Sequence, residues 1–154
     1  MSVNDGIIWV HEDAISLDHP VVAAAGPGAQ PIFIWDSHNH DALGYSLKRR
    51  VFIFECALDL DIPIYAGTPK SILREVANGR AIYAAPSPDP YIAHVLIDLQ
   101  KDHEVVPVDA RPFARIASDV DTRRFFRFWN QAKKTAMLST QELEASQNTS
   151  RDDA

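Results

Sequence analysis

Acidic, imidazole and hydroxyl side chains recur where short apolar runs stop. His11-Glu12-Asp13 follows Ile7-Ile8-Trp9-Val10, Asp36-Ser37-His38 follows Pro31-Ile32-Phe33-Ile34-Trp35, and Ala85-Pro86-Ser87 follows Arg80-Ala81-Ile82-Tyr83-Ala84. Side chains of these types accept hydrogen bonds and move protons, so His11, Glu12 or Asp13 could act as acid or base. Asp36-x-His38-x-His40-Asp41 sets two imidazoles and two carboxylates within six residues, ligand types that suit zinc or nickel. It lacks cysteine ligands and a helical i, i+4 histidine pair, and no metal is expected. There is no Gly-x-Gly-x-x-Gly, no Gly-x-x-x-x-Gly-Lys and no Ser-Gly-Gly after the first apolar run. Dinucleotide or ATP chemistry therefore lacks its usual cradle of backbone amides. Spacing alone names no nucleophile beside a base and an orienting acid.

The elements that must position these groups alternate regularly. Residues 7–10, 31–35, 62–65, 80–84 and 104–108 read as buried strands. Between them, Pro20 opens a short helix that Asp18 or His19 can cap and that Gly26-Pro27-Gly28 ends. Leu43 to Leu60 reads as one long helix, with Leu47, Val51, Phe54 and Leu58 at three- and four-residue spacing as the stripe that faces a sheet. Thr68 and Pro69 begin a helix that Asn78-Gly79 stops, and Tyr91 to Asp102 forms another. Strands separated by helices of this length imply βαβ units and a parallel sheet. The fold class expected is α/β: a three-layer α/β/α Rossmann-like domain with a five-stranded, mainly parallel sheet in the order 3-2-1-4-5. A ligand would then sit beyond the carboxyl ends of the strands, where the strand order reverses.

Size and charge bound the function. A chain of 154 residues with 46% hydrophobic and 23% charged residues suits one domain with its own core. We divide it into a short tail over 1–6, the α/β domain over 7–138 and a polar, frayed tail over 139–154, with a short helical stretch at 141–145. No apolar run is long enough to span a bilayer, and residues 1–5 show no basic or apolar leader, so a cytoplasmic protein is expected, with no membrane partner. The single cysteine, Cys56, lies in an apolar helical stretch and reads as a small hydrophobe. A net charge of −6 repels a phosphate backbone, and no direct DNA binding is expected. Thr122 to Leu138 is amphipathic and carries Phe125, Phe126, Phe128 and Trp129, more aromatics than one stripe holds. These serve either the chain's own packing or an aromatic surface for a homodimer or a protein partner.

Six segments, in order, resemble the N-terminal domain of the photolyase and cryptochrome family. Ile7 to Asp13 with Leu17-Asp18-His19-Pro20 is similar to the family's opening strand and the motif after it. Pro31 to Asp36 resembles its second strand, and Lys48-Arg49-Arg50 stands where a basic residue begins the next helix. Tyr65-Ala66-Gly67-Thr68-Pro69 looks like its Gly-Asp-Pro turn. Ala81-Ile82-Tyr83-Ala84 with Asp89-Pro90-Tyr91 resembles a Val-Tyr-Ala strand and Glu-Pro-Tyr element, and Phe125 to Trp129 a Phe-Thr-Pro-Phe-Trp segment. The family's paired arginines after the first strand are His11 and Glu12 here, and Ile92 and His94 replace its residues after Pro-Tyr.

The resemblance implies a photolyase-like domain without the downstream helical domain that holds FAD. FAD and light-driven repair are therefore not expected, and the chain is expected to be non-catalytic. It implies an antenna-chromophore pocket, for FMN or a deazaflavin-like ring, around His11, Asp36, Ser37, Arg50, Ser87, Asp89 and Tyr91. There Arg50 would pair with a phosphate or ring carbonyl, Ser37 and Ser87 would orient it, and Tyr91 would cover an aromatic face. The expected partner is a small aromatic ligand or a protein. The alternative is a small enzyme or binding protein for an adenine-nucleotide-like ligand at the same edge of the sheet.

Overall fold

Five strands form one parallel sheet whose centre is apolar and buried from both sides, while its edge strands are half-buried. The computed structural model describes residues 6–110, 112, 114, 116–117 and 120–136. The strands are β1 (Ile7–Val10), β2 (Gln30–Trp35), β3 (Ile64–Ala66), β4 (Ile82–Ala84) and β5 (Val105–Pro107), in the order β3-β2-β1-β4-β5. Ile8 pairs with Pro31 on one side and Tyr83 on the other, which makes β1 the central strand. The expected α/β class and strand order are those observed.

Alternation along each strand divides the core in two. Ile7, Trp9, Ile32, Ile34, Ile82 and Ala84 face one layer, where α4 (Pro69–Ala77) and α5 (Pro90–Leu99) add Leu73, Ala77, Val95 and Leu99. Ile8, Val10, Phe33 and Tyr83 face the other, where α1 (Pro20–Ala25) and α3 (Leu47–Leu58) add Val21, Ala25, Ile53 and Ala57. Between β2 and α3 lies a further short helix, α2 (Ser37–Ala42).

Helix ends follow local chemistry. The His19 ring nitrogen Nδ1 accepts the Val21 N–H to cap α1, so His19 rather than Asp18 is the cap. Asn78, in the left-handed conformation at φ 44°, stops α4. The Thr68 side chain makes no capping bond although it stands at the N-cap of α4.

The long helix expected over Leu43 to Leu60 is two helices. Gly44 adopts φ +64°, a conformation that ends α2, and Ser46 then caps α3 by accepting the Arg49 N–H at 3.3 Å. Its stripe is also corrected. Leu47, Val51, Phe54 and Leu58 face outward, and α3 rests on the sheet through Ile53 and Ala57. The apolar face was legible as a face but was assigned the wrong neighbour.

The chain forms two compact units, residues 1–110 and 111–154, and the sheet lies in the first. In the second, α6 (Phe125–Ala136) carries exposed Phe125 and Phe126, with Phe125 stacked parallel to Trp129 at 6.3 Å. The sequence readings for residues 139–154, including the helical stretch at 141–145, lie outside the described residues. Among the described residues no helix is long and apolar enough to cross a membrane.

Candidate functional site

The carboxyl ends of β1, β2 and β4 open into one crevice on the α4 and α5 side of the sheet. β1 supplies Trp9 and, just past its end, His11 and Glu12; β2 supplies Ile34 and Asp36; Asp89 and Tyr91 come from the start of α5. Pro69 closes the β3 side. Free space amounts to about 20 Å³, room for one water, within a concavity of about 350 Å³ that includes its open mouth.

His11 is 3% exposed, and its Nε2 lies 2.8 Å from the Ala85 carbonyl oxygen. Only an N–H satisfies that oxygen, so the proton sits on Nε2 and Nδ1 is left as an acceptor. Nδ1 is buried without a hydrogen-bond partner. Burial pushes the His11 pKa below its usual value, opposed by the Ala85 hydrogen bond and the nearby Asp13 carboxylate. The ring is held neutral.

Two carboxylates in the lining double as helix caps. Asp36 Oδ1 accepts the Asn39 N–H at 3.1 Å at the start of α2, and its Oδ2 accepts the Tyr91 hydroxyl proton. Asp89 Oδ1 accepts the Tyr91 N–H at 2.7 Å at the start of α5. Burial, and then the hydrogen bond and charge of Asp36, push the Tyr91 pKa far up, so the phenol stays a donor. Glu12, the third carboxylate, pairs with Nε2 of the fully buried His40, whose ring stacks on Tyr45 at 5.2 Å and meets Trp35 edge-on. Burial and the Glu12 charge raise the Tyr45 pKa.

Of the seven residues singled out from sequence, His11, Asp36, Asp89 and Tyr91 line the crevice together. Ser87 stands behind it, accepting the Asp89 N–H at 2.9 Å and donating to the Asp13 carboxylate. Ser37 is the exposed first residue of α2 and does not line the crevice. Arg50 lies elsewhere: its guanidinium donates to Asp41 at 2.7 Å and to the Tyr45 carbonyl oxygen at 3.0 Å. The lining thus holds three carboxylates, an acceptor imidazole, the Asn39 amide and the Tyr91 phenol, and no lysine or arginine. Trp9, Ile34, Asn39, Pro69 and Ile92 line the crevice without having been expected to. The alternation of β1 was the available signal for Trp9, since it places Trp9 and His11 on one face. His38 is exposed while His40 is buried, and among the described residues no group of three or more metal-ligating side chains converges.

No protein-family model, curated protein or solved structure matches the chain.

Proposed function

We propose that the sheet domain is a non-catalytic binding domain of the photolyase and cryptochrome N-terminal type. Its ligand is a neutral aromatic nitrogen heterocycle, a flavin- or deazaflavin-like ring held by its N–H edge. One observation carries this reading: an aromatic-walled crevice in which the acceptors Glu12, Asp36, Asp89 and His11 outnumber the donors of Asn39 and Tyr91, without a cation among them. Ring N–H donors satisfy such groups, whereas a phosphate meets only like charge. Room for one water does not hold a tricyclic ring, so Tyr91 must swing away and yield its place on Asp36 Oδ2 to a ligand N–H.

The same acceptors suit the exocyclic amine of adenine, which keeps a nucleotide-like ligand as the second reading. The discriminating measurement begins with near-ultraviolet and visible absorption of protein purified without added cofactor. Titration with riboflavin, FMN and AMP follows. The expected result is riboflavin binding at least as tightly as FMN. Much tighter FMN would reveal a phosphate site, AMP binding alone would favour the nucleotide reading, and a colourless protein that takes up none of them would end the ligand reading.

A further inference from the structure

Helix α3 buries Ile53 but turns its other large apolar residues to solvent, Phe52 (65% exposed) on one flank and a stripe of four beside it. Leu47 is 77% exposed, Leu58 54%, Val51 44% and Phe54 40%. At about 100° per residue they fall within an arc of about 60° and run roughly 16 Å along the helix. Phe54 meets Trp35 with the rings nearly perpendicular at 5.3 Å, and none of the four stripe residues belongs to either core layer. A contiguous patch of this kind on a solvent-facing helix marks an interaction surface.

The charges beside the stripe identify what covers it. Lys48 lies near its amino end, and Glu55 and Asp59 lie near its carboxyl end on the same flank. This is the reverse of what the helix dipole favours, since the first turn has no acidic residue and the last turn no basic one. Arg49 and Arg50 are engaged locally, by Tyr45 and by Asp41, but Lys48, Glu55 and Asp59 make no ion pair among the described residues.

We propose that α3 is the contact helix of a homodimer, packed antiparallel against α3 of a second copy across a twofold axis near residues 52 and 53. Such an axis sets the same flank of each helix against its counterpart in reverse direction. Leu47 then meets Leu58 of the other copy, Val51 meets Phe54, and Lys48 lies between Glu55 and Asp59, each contact occurring twice. The two dipoles also run antiparallel, so charges that oppose their own helix complement the other. The surface shares no residue with the crevice.

The test is sedimentation velocity on the full chain at micromolar concentration, with circular dichroism to verify folding. The wild type is expected to sediment at twice the chain mass. Val51→Lys, which sets like charges across the axis, is expected to give a folded monomer. Lys48→Glu leaves an all-acidic flank and Glu55→Lys/Asp59→Lys an all-basic one. Each change alone is expected to raise the dissociation constant about tenfold or more, and mixing the two proteins to restore the dimer. A wild-type monomer, or a dimer indifferent to these changes, overturns the proposal.

Discussion

His11 is the residue at which local chemistry and burial meet most directly. The native state holds its ring neutral, whereas the unfolded chain protonates it near the ordinary value of 6.5. The unfolded state therefore binds more protons in that range, and the stability tied to a neutral His11 is present above pH 6.5 and lost as pH falls through it towards the lower folded value. Chemical denaturation at a series of pH values checks this. His11→Gln, whose amide can still donate to Ala85, is expected to show a shallower decline on acidification than the wild type. His11, Asp36, Asp89 and Tyr91 meet in one crevice, as their sequence positions allowed, because each follows a strand end or opens a helix. Arg50 was misplaced because a charged residue on a helix can turn to either flank, and the nearby Asp41 and Tyr45 carbonyl decided the matter.

Among the elements, the strand ends are the least tolerant. A Cβ on Gly6, just before β1, would lie 2.6 Å from a ring carbon of Tyr83 and 3.2 Å from the Ala81 carbonyl oxygen. The backbone cannot retreat, since the Gly6 carbonyl accepts the Gln30 N–H at 2.8 Å and Ile7 N–H donates to Ala81 at 2.9 Å. Gly6→Ala is expected to cost about 1–3 kcal/mol of unfolding free energy, as overpacking does, and urea titration measures it. Strands β1, β2 and β4 were legible because continuous apolar runs bounded by polar residues leave few alternatives. Helix α3 was less so: periodicity reports that a helix has two faces, but not which face the sheet takes. The face that carries Ile53 and Ala57 is the one buried against the sheet, and no spacing rule distinguishes it from the stripe of Leu47, Val51, Phe54 and Leu58.

For the molecule as a whole, stability rests on two core layers that share one thin sheet. Leu73 is fully buried in the layer formed with α4 and α5. Leu73→Ala is expected to remove about 2–5 kcal/mol, a large share of the roughly 5–15 kcal/mol typical of a domain. The melting temperature should fall by about 10 °C, read by thermal denaturation. The strand order was legible because short helical connections and right-handed crossovers leave few topologies. The crevice volume was not, since it depends on how Trp9 and Tyr91 fill the space above the strand ends. Because Asp36 and Asp89 serve the crevice and the helix starts at once, the amides of Asn39 and Tyr91 donate to the same carboxylates that an occupant would meet. The domain thereby carries two built-in nuclear magnetic resonance reporters, whose amide signals would register an arriving ligand whatever its identity.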